Sequence, residues 1–177
     1  MLTKIRQARR ARVALALVAA FAFAAPANAA AATSSLYETY DLTGYEVWYA
    51  PTTGTFVGVG SGTAGEISAW YTAVEHDAVI IPSGHVNGGY ASLQRVDGVQ
   101  MSGTFSGGNV WQTSDGPGCT NDEFQMTGMV TDVTRTDRPG DTGYGYFSAT
   151  LKHYRAWIFG DCYSYSAKVT ATFSILF

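Results

Sequence analysis

The chain has 177 residues, 46% of them apolar and 14% aromatic, enough for one domain with a real core and too few for two comfortable ones. Its formal net charge is −3, but five of the eleven Lys and Arg fall within the first twelve residues, and all fourteen Asp and Glu lie beyond them. From residue 30 onward six basic residues face fourteen acidic ones, a net of −8, which leaves no electrostatic footprint for nucleic acid or an anionic lipid surface.

The N-terminus reads as a secretory signal peptide over residues 1–29. Lys4, Arg6, Arg9, Arg10 and Arg12 form the basic start, Val13 to Ala25 the apolar stretch, and Ala27-Asn28-Ala29 the small-x-small cleavage site. The apolar run is too short to span a bilayer, so a secreted, periplasmic or cell-surface protein is expected, with membrane association not expected. Residues 30–44 are mostly small and polar and are expected to be flexible. A single β domain should occupy 45–177.

From Tyr45 the pattern becomes short alternating runs rich in Val, Ile, Thr, Tyr, Phe and Trp, broken by Gly, Pro, Asn and Asp. Strands are predicted at about 46–50, 55–59, 66–75, 78–81, 89–96, 99–106, 109–113, 123–132 and 144–158. The last strand is the clearest: Ala167, Val169, Ala171, Phe173, Ile175 and Phe177 share one face, and Ser166, Lys168, Thr170, Thr172 and Ser174 the other. Asp97-Gly98 is the strongest hairpin signal. No window has helical periodicity. Eight to ten antiparallel strands in an all-β domain imply a small β-barrel or, alternatively, a β-sandwich; the in-strand glycines Gly58, Gly60, Gly103 and Gly128 favour the barrel.

Cys119 and Cys162 are the only cysteines. In an exported chain they are expected to form one disulfide, contributing roughly 4 kcal/mol in the chain-entropy estimate.

The chemistry concentrates on the strand reaching Ile158. Phe147, Ala149 and Leu151 set an apolar face whose parity then carries His153, Arg155 and Trp157. An inward imidazole and guanidinium need partners or a ligand, and Glu75 and Glu123 are the carboxylates considered as structural partners. A barrel mouth holding a small anionic or polar molecule would use His153, Arg155, Trp157 and Glu75. Glu75-His76-Asp77 with His85 matches no metal-ligand spacing and reads as a loop cap. No metal site, cofactor or catalytic residue is assigned, since neither a Gly-x-Ser-x-Gly elbow nor a His-Glu-x-x-His motif occurs. Trp48, Trp70, Trp111, Tyr154, Tyr163 and Tyr165 are candidates for an exposed aromatic surface. The alternation ending on Phe177 also resembles the C-terminal signature of bacterial outer-membrane barrels.

The segment His153 to Cys162, followed by Tyr163-Ser164-Tyr165-Ser166-Ala167, resembles the C-terminal part of uncharacterised secreted bacterial all-β proteins, a family that brings no transferable function. The Gly-rich strands resemble the barrels of allene oxide cyclase and dirigent proteins, which bind small apolar molecules, but no catalytic motif of either is matched. The expectation is an exported barrel that binds a small molecule or an extracellular partner and is not primarily an enzyme. The alternatives are a secreted enzyme with His153 as acid or base and Arg155 as anion clamp, and a structural cell-surface or outer-membrane barrel.

Overall fold

The computed structural model describes residues 35–78 and 81–177; the expected signal peptide at 1–29 lies outside them, as do two residues of the expected strand at 78–81. Eight antiparallel strands, β1 (Tyr37–Ala50), β2 (Thr53–Gly62), β3 (Gly65–His76), β4 (Ser83–Arg95), β5 (Gln100–Ser114), β6 (Asp122–Arg135), β7 (Thr142–Ile158) and β8 (Asp161–Leu176), follow one another as neighbours. β8 pairs back onto β1, so the sheet closes as a barrel.

The alternation seen in β8 sets the rule for the whole wall. Ala167, Val169, Phe173 and Ile175 point inward with Tyr40, Leu42, Phe56, Trp70, Phe105, Phe124 and Phe147, and Ser and Thr dominate between them on the outside. Each buried large apolar side chain contributes about 1.5–3 kcal/mol, and the Phe105, Phe147 and Phe173 rings pack with centroids 4.7–6.2 Å apart. A void of about 20 Å³ lies among these central side chains, room for one water at most. The interior is a filled core.

Gly44 and Gly58 face each other on β1 and β2. A Cβ on either would collide with the opposite backbone and with the Trp70 indole, whose Nε1 donates to the Thr43 carbonyl at 3.2 Å. Trp70 is therefore core, and it leaves the set of aromatic surface candidates.

Three boundaries differ from expectation for physical reasons. β1 starts at Tyr37 rather than near 45, because its inward positions include Glu38 and Gly44, which mask the alternation. The runs 99–106 and 109–113 are one strand, β5, since Gly107-Gly108 is absorbed within a pairing irregularity without breaking the ladder. β4 begins at Ser83 rather than near 89, because Gly84, Gly88 and Gly89 interrupt the alternation of its first half. Cys119 and Cys162 are bonded, with Cα atoms 5.5 Å apart, tying the β5–β6 loop to the start of β8.

Candidate functional site

The barrel seam between β1 and β8 is open at one corner. The β1–β8 ladder stops at Tyr45–Lys168, while β1 continues to Ala50 against β2 alone and β8 begins seven residues earlier against β7. The seam therefore opens at the end where the β1–β2, β3–β4, β5–β6 and β7–β8 connections lie. A cleft of about 330 Å³ fills the opening. Glu46, Trp48 and Tyr49 line one side, Ser164–Ser166 the other, and Asp122, Phe124 and His153 the floor, with Ile81 at the rim.

Each polar group arrives by strand register. Glu46 follows Tyr40, Leu42 and Gly44 on the inward parity of β1, just before a bulge that leaves Trp48 exposed. Asp122 opens β6 directly opposite His153 of β7. The His153 ring stands edge-on to Phe124 with centroids 5.2 Å apart. Its Nδ1 lies 3.3 Å from Asp122 Oδ1 and its Nε2 3.9 Å from Glu46 Oε2. Neither approach is a hydrogen bond, and Asp122 Oδ1 and His153 Nδ1, though 3.3 Å apart, are both buried without one. Such groups carry an unmet desolvation cost.

Burial dominates the electrostatics. It pushes the Glu46 carboxyl up to about 7, so near neutrality the group retains its proton about half the time. The same burial holds the His153 imidazole below its ordinary value; the Asp122 charge opposes that shift and Arg155 adds to it. Near neutrality the cleft therefore presents a half-protonated carboxyl on its wall beside a neutral imidazole on its floor.

Of the four residues expected at a ligand site, the structure brings two together. His153 sits in the cleft, and Arg155 stands behind it with Nη1 3.5 Å from Asp122 Oδ2 and 3.7 Å from Asp115 Oδ1, outside the cleft lining. Trp157 shares their parity but is 63% exposed, because β7 has passed the last β6 pair at His153 and inward no longer means buried. Glu75 points out of the barrel. Its neighbour His76 takes the inward place and stacks near Tyr49 at 6.4 Å. Neither Glu75 nor Glu123 is the partner of His153.

Sequence reasoning does not reach Glu46 or Asp122, and it reads His76 only within a loop cap, although the register Trp70-x-Thr72-x-Val74-x-His76 carries the signal for its inward place. Asp77 instead caps the β3–β4 loop, accepting from the His85 backbone and ring at 2.8 Å and from Asn87 at 3.0 Å. Those bonds hold its carboxyl down at about 2. Compared with protein-family models, with curated proteins and with solved structures, the chain matches none.

Proposed function

We propose that this protein is an exported binding module whose ligand is a small molecule seated in the split seam between β1 and β8. The observation that carries the reading is the Asp122–His153 contact on the floor of an open cleft whose walls carry Trp48, Tyr49 and Tyr165: Oδ1 and Nδ1 are buried 3.3 Å apart, and neither makes a hydrogen bond. A volume near 330 Å³ lies at the lower end of the ~300–1,000 Å³ of ligand sites. The complementary molecule has an apolar or aromatic body against Trp48, Tyr49 and Tyr165, and a polar head that accepts from protonated Glu46 and bonds to His153. The cystine and the lack, among the described residues, of any helix long and apolar enough to cross a membrane are compatible with an extracytoplasmic setting. Outer-membrane barrels turn apolar residues to lipid and polar ones inward; here the apolar face of β8 lies in the core, which favours the binding module over that alternative.

A fragment screen read by backbone amide shifts tests the proposal. Hits should perturb residues 46–49, 122–124, 153 and 164–166, and both His153→Ala and Glu46→Ala should weaken them about tenfold or more, as loss of a buried hydrogen bond implies. Hits that map elsewhere, or that survive both substitutions, would overturn it.

One observation favours an enzyme as the second reading. Asp122, His153 and Glu46 stand in line, with the carboxyl shifted up and the imidazole down, a relation suited to proton transfer. Arg155 is engaged by Asp122 and Asp115, so an anion clamp would have to break those pairs.

A further inference from the structure

The β7–β8 hairpin runs past the barrel. Beyond the Asp122–His153 pair on one side and the Tyr45–Lys168 pair on the other, Tyr154–Ile158 and Asp161–Ser166 have only each other as strand neighbours. A free two-stranded ribbon is marginal in water. Here the Cys119–Cys162 bond fastens its returning strand to the β5–β6 loop, so the tip is held out on a braced arm.

At the tip, Ile158 pairs with Asp161 across the two-residue loop Phe159-Gly160. Both loop residues have positive φ, 53° and 92°, the geometry of a type I′ turn, which favours Asn or Gly at its first position. A Cβ there is penalised, and phenylalanine has no side-chain hydrogen bond to offset it. The ring receives nothing back from the fold, since Phe159 is 104% exposed. Ile158 and Trp157 beside it are also exposed, as are Tyr163 and Tyr165 on the returning strand. A side chain that strains the backbone and packs against nothing contributes only through what lies outside the molecule.

The order of these residues identifies the kind of surface. Phe159 is outermost, Ile158 follows with the exposed Asp161 carboxylate level with it across the turn, and amphipathic Trp157, Tyr163 and Tyr165 stand behind them. That gradation matches a bilayer, hydrocarbon first and then the interface where Trp and Tyr reside. The tip is convex, so a deformable medium receives it without a matched pocket. Its nearest charge along the chain is Asp161, and the chain from residue 30 onward is strongly acidic, which removes any attraction to anionic headgroups. We propose that the Ile158-Phe159 tip inserts into the interface of a zwitterionic lipid surface. Trp48, Ile81 and Tyr165, exposed at the same end, would then bring the mouth of the cleft against the lipid. The proposal stands on the hairpin alone and does not require the cleft to hold a ligand.

The test uses protein purified as its cells process it, mixed with phosphatidylcholine vesicles and with vesicles containing phosphatidylserine, and read by co-flotation and by tryptophan emission. Wild type should float with the zwitterionic vesicles, no better with the anionic ones, and shift its emission to the blue. Phe159→Gly should lower the partition coefficient about tenfold or more, as expected for losing one buried aromatic ring, while its melting temperature stays the same or rises because glycine suits the turn. Phe159→Trp should restore partitioning. Absence of wild-type flotation, a preference for anionic vesicles, or Phe159→Gly floating as well as wild type would overturn the proposal. So would a lowered melting temperature in Phe159→Gly, which would make the ring structural, or a wild-type dimer that this substitution turns into monomer, which would make a second copy the cover of the tip.

Discussion

At the barrel end that carries Tyr37 and Leu176, Arg135 donates through Nη1 to Glu38 at 2.8 Å and through Nε and Nη2 to Asp137 at 2.6 and 2.7 Å. The Tyr40 hydroxyl closes the set on Glu38, and the Phe177 ring lies 5.0 Å from the guanidinium carbon. Arg135 and Glu38 side chains are 3% and 4% exposed. At the mouth, eight residues further along β1, Glu46 and His153 are nearly as enclosed, at 10% and 15%, yet meet at 3.9 Å without a hydrogen bond. The same wall buries charge twice. Around Arg135 the charged groups are joined by hydrogen bonds and the cluster acts as a plug, although Arg95 Nε at the same end is buried without one; at the mouth no such network offsets the desolvation cost.

The largest effect should come from breaking the plug. Arg135→Ala leaves the Glu38 carboxylate buried without its cation and should cost about 3–5 kcal/mol in urea unfolding. Next comes the double substitution Cys119→Ser with Cys162→Ser. It opens a loop of 43 residues and should cost about 2–4 kcal/mol, with amide exchange rising first in 115–121 and in the hairpin beyond Tyr154 rather than around Arg135.

Substitution at the mouth should have the opposite sign. Glu46 keeps its proton to about pH 7 in the fold, against 4.5 ordinarily. As pH rises from 4.5 to 7 the unfolded chain releases this proton while the fold retains it, so the group lowers stability across that window and the loss persists above it. Glu46→Gln should therefore leave stability at pH 4 almost unchanged and raise it at pH 8 by about 1–2 kcal/mol, allowing for solvent screening. His153 works in the other direction. Held neutral by burial, it costs stability as pH falls below about 6.5, a slope that His153→Phe should remove. The smallest effect belongs to Glu75→Gln, outside the barrel, which should change stability by less than about 0.5 kcal/mol and leave ligand capture at the mouth untouched.

Much of the barrel could be read from alternation because its core is filled and its outer wall is wet, so β8, most of β3 and the apolar part of β7 show a clean period of two. The same parity placed His153 inward. It failed where a strand outlives its neighbours or carries a bulge: Trp157 keeps the inward parity after β7 has left the wall, and the bulge between Glu46 and Trp48 sits in a run, Tyr45 to Tyr49, in which four of five residues are apolar or aromatic. Glu46 is the exception in that run, and hydrophobic patterning reads such an exception as solvent-facing. Glu38 and Arg135 were illegible for a related reason. Their burial depends on a match 97 residues apart in the chain, which no local pattern encodes.

The direct measurement is a side-by-side urea unfolding of Glu38→Gln and Glu46→Gln at pH 8. One charge is removed from each end of β1 by the same chemical change. Glu38→Gln should destabilise by about 2–3 kcal/mol, having lost a charged partner for Arg135, and Glu46→Gln should stabilise. Destabilisation of similar size in both variants would show that the mouth is as structural as the plug, and would contradict the account.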